Sequence, residues 1–469
     1  MGIEGLLSLV KPARRSIHVR EYQGKTVAID AMCWLHRGTY CCSEELCLGR
    51  NTDKYLGVTR KMISMLQANG ITPIFVIDGN DLPAKEGENA DRKKNRQHHV
   101  EEGKRLYALG RRAEAIDHFR QGVIVTAEMI KRFLLLLNSL RIAYIIAPYE
   151  ADSELAYLCR SGYVDAVVSE DSDTLCYRCH HVLFKMDTDG SCEEVSLESV
   201  FTNPDLGFKT WTCDQFELMC VLSGCDYLKS LPQIGLKTAK RYVEKERSVI
   251  DTLNEITTNP KHKPKDDPNG FQTYRAKLDE ALACFHHQVI FDPKSNTMKY
   301  LTPVTSLERK FCESEYCIFG VIKKPEEAKQ IARGYQCART GEPYLPSSVD
   351  TSYLDRFFES LRLTRVIPKY GIAIDINQPL FSDARKIQMT PPTLSSASPK
   401  KEQTPLQIEN ADSFLSQFRF SSTIAVKRPG GQLLEKPSKL KEGDSPTNQF
   451  ETESLTPEYK NPYFSFDVS

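Results

Sequence analysis

The stretch Val164-Asp165-Ala166-Val167-Val168-Ser169-Glu170-Asp171-Ser172-Asp173 decides the fold of this chain. Its first part, Val164–Ser169, is a nearly continuous apolar run, without the alternation of polar and apolar residues that a half-exposed strand shows. Such runs are typical of parallel sheets, in which both faces of a strand are covered. The acidic residues that follow are therefore expected at the carboxyl end of a buried strand.

Four further apolar runs repeat this pattern along the chain. They are Thr26–Asp30, Pro73–Asp78, Ile142–Ile146 and Val182–Met186. Strands that alternate with helical segments predict an α/β fold with a parallel sheet. Between the second and third runs lies a charged, helix-prone segment that is too long for an ordinary connection. After Phe216 the pattern becomes helical.

Acidic residues follow the predicted strands repeatedly. They are Asp30, Asp78, Glu150 with Asp152, and Asp171 with Asp173. A single Asp in such a place is as readily explained as a helix cap. In an open parallel sheet, however, sites form outside the carboxyl ends of the strands. The repetition therefore favours one shared cluster of acids.

A cluster of carboxylates needs positive charge, because the acids repel one another and their pKa values rise. Oxygen-only ligands favour Mg²⁺ or Mn²⁺, which also bind substrate phosphate. Two such ions about 3.5–4 Å apart promote phosphodiester hydrolysis. The spacing therefore predicts a metal-dependent phosphoryl hydrolase.

Bulk composition adds few constraints. The chain has 469 residues, with 62 Lys and Arg against 62 Asp and Glu, so a basic surface must come from local segregation. The chain has no run of about 18 apolar residues, so no membrane span is predicted. The first residues do not form a secretory signal. Fifteen cysteines without such a signal indicate a reducing compartment. Beyond about Ile376 the sequence is rich in Ser, Thr, Pro, Gln and Lys and predicts a disordered tail.

Six sequence blocks resemble the structure-specific 5′ nucleases of the flap-endonuclease and XPG family. The Trp34-Leu35-His36 element is similar to the exonuclease 1 branch more than to flap endonuclease 1 or the Holliday-junction resolvases, and the resemblance covers about residues 1–300. The blocks are Met1–Leu7 (MGIEGLL), Asp30–His36 (DAMCWLH), Phe75–Gly79 (FVIDG), Ala147–Asp152 (APYEAD), Ser169–Asp173 (SEDSD) and Leu222–Tyr227 (LSGCDY).

The resemblance implies an α/β, parallel-sheet, PIN-like nuclease core with a helical arch, a helix-two-turn-helix α domain and a disordered C-terminal tail. The implied regions are an N-terminal nuclease region (1–99), the arch (84–130), an internal nuclease region (131–217), a helix-two-turn-helix DNA-binding region (218–345), a wrapping segment (346–376) and the tail (377–469).

The resemblance also implies roles for individual residues. Two Mg²⁺ ions, replaceable by Mn²⁺, would be held by seven acids: Asp30, Asp78, Glu150, Asp152, Asp171, Asp173 and Asp226. Catalytic roles fall on Lys85, Arg92 and the amine of Gly2. DNA contacts fall on His36, Arg96, Gly235, Lys237, Lys240 and Arg241. A potassium ion that grips the duplex backbone would take its oxygens from Ser223, Ser230 and Ile234.

The arch segment, residues 84–112, carries nine basic residues against five acidic ones. Lys85, Arg92 and Arg96 have the seven- and four-residue spacing that places side chains on one helix face. For such a run in isolation, a solvated helix is the favoured explanation. Because the run follows Asp78, cations beside a bound phosphate are the alternative, and they would stabilise the charge that grows during cleavage.

Together these features predict a 5′-to-3′ double-stranded DNA exonuclease with 5′-flap endonuclease activity. We expect it to be a nuclear monomer that acts on 5′ ends, nicks, gaps or flaps in mismatch repair, end resection and recombination. Its tail would bind mismatch-repair proteins. Two alternatives are a flap endonuclease 1-like replication enzyme and an inactive DNA-binding scaffold. A zinc site built from Cys176, Cys179, His180 or His181, and Cys192 is a further, minor alternative.

Overall fold

The computed structural model describes residues 2–246, 248–264, 271–306, 308–313 and 316–361. The chain divides into two units, Met1–Pro391 and Pro392–Ser469, and every described residue belongs to the first. The predicted disordered tail, 377–469, lies outside the described residues, as do residues 362–376 of the predicted wrapping segment.

The described residues contain eleven strands. They are β1 (Arg14–His18), β2 (Thr26–Asp30), β3 (Thr72–Ile77), β4 (Ala143–Ile146), β5 (Ala166–Val168), β6 (His181–Phe184), β7 (Ser191–Ser196), β8 (Val289–Asp292), β9 (Thr297–Tyr300), β10 (Cys312–Glu313) and β11 (Tyr316–Cys317).

Sixteen α-helices lie in the same described ranges. They are α1 (Leu6–Leu9), α2 (Ala31–Thr39), α3 (Ser43–Cys47), α4 (Leu56–Ala68), α5 (Glu86–Ala108), α6 (Arg112–Gly122), α7 (Ala127–Ser139), α8 (Ala151–Arg160), α9 (Asp173–Cys176), α10 (Leu197–Thr202), α11 (Cys213–Leu222), α12 (Leu236–Glu246), α13 (Val249–Thr258), α14 (Phe271–His287), α15 (Pro325–Arg333) and α16 (Ser352–Ser360). None of them is long and apolar enough to cross a membrane.

The central sheet has seven strands in the order β1-β7-β6-β5-β2-β3-β4. The five strands from β6 to β4 are parallel, and they are the five that the apolar runs predict, within two residues at each end. The prediction of an α/β parallel sheet is therefore confirmed. β7 and β1 extend the sheet with antiparallel pairing and were not predicted.

The predicted arch, residues 84–130, contains two packed helices, α5 and α6, joined by a short turn. Two glycines allow their close approach. A Cβ on Gly103 would lie 2.7 Å from the Phe119 ring, and a Cβ on Gly122 would lie 2.7 Å from Val100 Cγ2. Leu106, Ala115 and Phe119 form a small core between the helices, so the segment is a packed helical hairpin.

The helical region contains α11 to α14, and a turn of thirteen residues, 223–235, connects α11 to α12. The turn leads directly into α12, which begins at Leu236. Further along the chain, α15 and α16 pack against the edge strand β4. The Tyr353 hydroxyl donates to Ile142 O at 3.0 Å, and the Tyr144 hydroxyl donates to Arg333 O at 3.0 Å.

Thirteen of the fifteen cysteines are free thiols, and Cys312 and Cys317 form a disulfide between β10 and β11. The predicted zinc ligands are distributed among separate neighbours. Cys179 contacts Cys159, Cys176 contacts Cys220, and His181 Nδ1 lies 3.0 Å from Glu194 Oε1. The described residues therefore form no zinc site of the predicted composition, and that alternative is wrong.

Candidate active site

Parallel strand pairing brings the predicted acids to one edge of the sheet. Asp30 is the last residue of β2, which lies between β3 and β5. Asp78 follows β3, and Asp171 and Asp173 follow β5. Because neighbouring parallel strands end at the same edge, these four acids converge there.

Two loops complete the cluster. Glu150 is the N-cap of α8 and Asp152 lies in its first turn. Asp226 lies in the turn after α11, in the helical region. The Ala151 amide donates to Asp78 Oδ1 at 2.9 Å, which ties the α8 start to the end of β3.

Asp30 is held in place by four donors. Its Oδ1 accepts from the amides of Met32 at 2.9 Å and Cys33 at 3.3 Å, so it caps α2. Its Oδ2 accepts from Ser169 Oγ at 3.1 Å and from Cys33 Sγ at 2.9 Å. Capping and clustering therefore occur in the same residue, and the two interpretations of Asp30 are compatible.

The beginning of the chain packs directly on the acids. The Ile3 amide donates to Asp173 Oδ1 at 2.9 Å, and the Asp173 amide donates to Asp171 Oδ1 at 2.9 Å. A Cβ on Gly2 would lie 2.2 Å from Asp171 Oδ1 and 2.6 Å from Asp173 Oδ1. Gly2 also has φ +80°, which is costly for other residues. Only glycine fits at this position.

The acids are buried, and burial raises the pKa of several of them. It raises the pKa of Asp78 to about 6, helped by the charge of Asp30. Burial and then Asp171 raise the pKa values of Asp152 and Asp173 well above the ordinary range, and burial also raises that of Asp171. The cluster therefore holds more negative charge than its surroundings neutralise.

Two cations neutralise one side of the cluster. Lys85 Nζ, which is 6% exposed, lies 2.7 Å from Glu150 Oε1 and 2.9 Å from Asp226 Oδ2. Arg92 NH2 lies 2.6 Å from Asp226 Oδ1. Burial works to raise the pKa of Asp226, but Lys85 and Arg92 outweigh it and hold that pKa below its ordinary value.

The arch places its three predicted cations differently from expectation. α5 begins at Glu86, so Lys85 lies in the turn before the helix, and only Arg92 and Arg96 share a helical face. Arg96 lies near His36, and burial together with the charge of Arg96 lowers the pKa of His36 to about 4. His36 is therefore neutral at physiological pH.

The helical region carries the other predicted DNA contacts. Lys237 and Arg241 are exposed on α12, and Gly235 precedes it. Lys240 is half-buried. Its Nζ donates to Leu206 O at 2.7 Å and lies 4.9 Å from the centroid of the Phe208 ring, so it packs α12 against the segment that precedes α11.

The predicted potassium ligands lie around the turn between α11 and α12. A Cβ on Gly224 would lie 3.3 Å from Ser230 N, so the chain folds back closely within this turn. The Ser223 hydroxyl donates to Cys220 O at 2.7 Å, which leaves its oxygen lone pairs available to a cation. Ile234 is buried and would contribute its backbone carbonyl.

A second group of ionisable side chains lies in the helical region and consists of Asp214, Glu217 and His286. It contains its own cation. Arg178 NH2 forms an ion pair with Asp214 and lies 3.3 Å from Glu217 Oε2 and 3.4 Å from His286 Nε2. Both carboxylates of this group are already paired with the arginine, so the group forms a salt bridge.

Three neighbours of Glu150 were not predicted as site residues. Tyr227 OH donates to Glu150 Oε2 at 2.7 Å, and Tyr177 and Gln288 contact Tyr227 behind it. Tyr227 directly follows the predicted acid Asp226, so its place in the sequence could have indicated that it lies at the site. Tyr177 and Gln288 lie in unrelated segments and carry no local signal.

Comparison with known proteins gives consistent family matches. Models of the XPG N-terminal domain and the XPG I-region match residues 1–99 and 141–226. The chain is 36% identical over 334 residues to exodeoxyribonuclease 1 of Schizosaccharomyces pombe, covering 71% of this chain and 57% of that protein. It is 37% identical over 308 residues to exonuclease 1 of Xenopus laevis, covering 65% of this chain and 41% of that protein. The chain thus spans about half the length of these two relatives.

A shorter relative is covered more completely. The chain is 30% identical over 329 residues to the DNA damage-inducible protein DIN7 of Saccharomyces cerevisiae, covering 69% of this chain and 75% of that protein. All seven predicted acids lie within the two regions that the family models cover.

Proposed function

We propose that this chain, which belongs to the XPG nuclease family and to its exonuclease 1 group, hydrolyses DNA from 5′ ends. The substrate class is duplex DNA with a recessed 5′ end, nick, gap or flap. The reaction is hydrolysis of a phosphodiester that leaves a 5′-phosphate on the product.

One observation carries this proposal. The acids Asp30, Asp78, Asp152, Asp171 and Asp173 lie together, and in the described part of the chain no lysine or arginine forms an ion pair with them. Burying unpaired carboxylates costs several kcal/mol, on the order of 2 or more for each group. A cluster that persists despite this cost is explained by a positive charge that binds from solution.

The donor set fits a hard divalent cation. All seven proposed ligands offer carboxylate oxygens, which suit Mg²⁺ and Mn²⁺. When bound, a pair of such ions would polarise the scissile phosphate and make water a better nucleophile. Gly2 leaves room for ligand atoms where any side chain would collide with Asp171 and Asp173.

The protein's own cations have a separate role in this proposal. Lys85 and Arg92 are held beside the acids by Glu150 and Asp226. Positive charge fixed in a site before reaction stabilises the negative charge that grows on a phosphate during cleavage. His36 and Arg96 would contact the DNA end. Lys237 and Arg241 would contact the backbone without reading sequence, and a K⁺ ion held by Ser223, Ser230 and Ile234 would bridge to the same strand.

A cleavage assay on matched substrates tests the proposal. A 5′-labelled recessed duplex and a 5′-flap duplex are incubated with Mg²⁺, Mn²⁺, Ca²⁺ or chelator. We expect cleavage from the 5′ end of both substrates with Mg²⁺ or Mn²⁺ and none with chelator. Cleavage of the flap alone would favour the flap endonuclease 1-like alternative, and binding without cleavage would favour the scaffold.

Cellular role and partners extend the proposal. We propose a nuclear monomer, with mismatch-repair proteins captured by the tail. Support comes from the aromatic cluster Tyr463-Phe464-Ser465-Phe466, because aromatic residues are common docking anchors. Truncation after residue 376 should leave cleavage of naked DNA intact and weaken capture of a MutL-type partner. A Tyr463→Ala, Phe464→Ala chain that still binds this partner would remove the docking idea.

A further inference from the structure

The carboxylate of Glu150 is connected to a buried polar network that reaches the helical region. Tyr227 OH lies 2.7 Å from Glu150 Oε2 and 2.6 Å from Tyr177 OH. Gln288 Nε2 lies 2.5 Å from Tyr177 OH and 2.7 Å from Tyr227 OH. Gln288 and Tyr177 are almost fully buried, so these four contacts cannot be replaced by bulk water.

The number of available protons determines the direction of every hydrogen bond in this network. Four short contacts require four protons. The two hydroxyls supply one each, and the carboxylate of Glu150, which forms an ion pair with Lys85, supplies none. The remaining two must come from an amide NH₂, so the nitrogen of Gln288 must face the tyrosines. With the amide oxygen in that place, two contacts below 3 Å would lack a proton.

The same count makes the arrangement unique. The amide of Gln288 donates one proton to each hydroxyl. Glu150 accepts only, so Tyr227 donates to Glu150. The proton of Tyr177 is then left for Tyr227. Every proton in the network therefore points toward the carboxylate.

We propose that Gln288 is a positioning residue that acts on Glu150 through Tyr227. Its donor-only end forces Tyr227 to give its proton to Glu150 Oε2, while Lys85 binds Glu150 Oε1 at 2.7 Å. The carboxylate is thereby fixed in one orientation as a charged acceptor. Hydrogen bonds of this kind, one step behind a ligand, orient the ligand and tune its affinity.

The position of Gln288 gives the network a second consequence. Gln288 follows the last residue of α14, and its carbonyl accepts from the Leu301 amide at 2.8 Å. α14 packs against α11, which leads into the turn that carries Asp226. The helical region proposed to grip DNA therefore has a rigid connection to Glu150 as well as to Asp226.

The inference rests on the proposed function, because orienting Glu150 matters for a metal ligand. Gln288→Glu is the sharpest test, since the shape is kept and the two donated protons are replaced by a competing acceptor. We expect Mn²⁺ binding, measured by electron paramagnetic resonance without DNA, to weaken by at least about tenfold. The single-turnover cleavage rate should fall in parallel.

Tyr177→Phe separates positioning from stability. It removes one hydroxyl, but Gln288 can still donate to Tyr227, and Tyr227 still donates to Glu150. We expect Mn²⁺ affinity to fall by no more than about threefold, below the usual effect of losing a direct partner. Gln272→Glu on exposed α14 surface controls for added charge, and Tyr163→Phe, which loses a 3.0 Å bond to Asp292, controls for a lost hydroxyl.

The outcomes distinguish the two levels of the proposal. Urea unfolding of each variant measures stability separately. Mn²⁺ affinity of Gln288→Glu equal to that of the intact chain, or losses in both network variants that follow stability alone, would overturn the positioning role. An intact chain that neither binds Mn²⁺ nor cleaves DNA would instead overturn the proposed function.

Discussion

Two groups of acidic residues in this protein have opposite relations to positive charge. In the helical region, Asp214, Glu217 and His286 surround Arg178, which forms ion pairs with both carboxylates. At the sheet edge, Asp152, Asp171 and Asp173 have no such partner in the described part of the chain. Converging carboxylates alone therefore do not identify a metal site. The two groups differ in that these sheet-edge acids have no lysine or arginine ion-pair partner among the described residues, whereas both carboxylates of the other group are paired with Arg178.

The largest expected effect comes from removing one unpaired acid. We expect Asp173→Ala to lower the rate of DNA cleavage by about 10³-fold or more, because a lost ligand removes activation of water. DNA affinity should remain measurable, since cations elsewhere supply the grip. Single-turnover cleavage and a binding titration in Ca²⁺ measure the two effects.

The matched control for that variant is Asp214→Ala, which removes an acid from the paired group. It should cleave DNA at a rate near that of the intact chain. If Asp173→Ala kept more than about a tenth of the activity, far above what losing a metal ligand allows, the sheet-edge acids would not be the site.

The second effect falls on stability and on the paired group. Arg178→Met leaves Glu217 buried without its cation, so we expect a loss of about 3–5 kcal/mol in the free energy of unfolding. Urea denaturation measures it. The loss should be the same with and without Mg²⁺. Arg132→Met, at an exposed ion pair with Asp53, is the control and should leave the free energy of unfolding nearly unchanged.

The third effect concerns Lys85 and Arg92, the two cations that pair with Glu150 and Asp226. Lys85→Ala and Arg92→Ala should each lower the single-turnover rate by about 10²–10³-fold, the usual effect of losing a preorganised charge in a site. Affinity for DNA should change much less. Equal losses in rate and affinity, with a shallower salt dependence, would mark both residues as ordinary phosphate contacts.

The smallest effect is the pH dependence of the metal-free protein. The pKa of Asp78 rises from 3.8 in the unfolded chain to about 6 in the fold. The protonated form is thus favoured by folding, and this stability is present below about pH 4 and lost as the pH rises through about 6. Unfolding at several pH values in chelator should show a decline on the order of 2 kcal/mol.

Asp78→Asn should flatten that decline, and saturating Mg²⁺ should reverse it, because the metal favours the ionised carboxylate. A metal-free protein whose stability rises between pH 4 and pH 6 would contradict the raised pKa. In that case Asp78 would already be neutralised within the fold, and the contrast with the paired group would disappear.

The sequence predicted the five parallel strands because each is buried on both faces and therefore reads as an apolar run. It did not predict β7, whose residues include Glu193 and Glu194. Glu194 is 6% exposed, but it accepts hydrogen bonds from Tyr22 OH at 2.5 Å and Arg15 Nε at 3.0 Å. A charge that is buried with its partners cannot be told from an exposed one in the sequence.

The candidate site likewise contains residues that the sequence predicted and residues that it could not predict. The acids could be predicted because they adjoin buried strands, and a charge at a strand end is visible locally. Tyr177 and Gln288 could not, because their relation to Glu150 exists only after distant segments pack. Lys85 was predicted, but its burial was not, since the helix spacing that suggested it does not include the turn at residues 83–85.

The hydrogen bond from the Ile3 amide to Asp173 joins residues 170 positions apart. During synthesis the first residues leave the ribosome long before their partners exist. At about 5–20 residues per second, the chain needs on the order of ten seconds or more to reach Asp226. The carboxylate cluster therefore cannot assemble on an early nascent chain, so under the proposed function cleavage of DNA cannot begin until most of residues 1–226 have been translated.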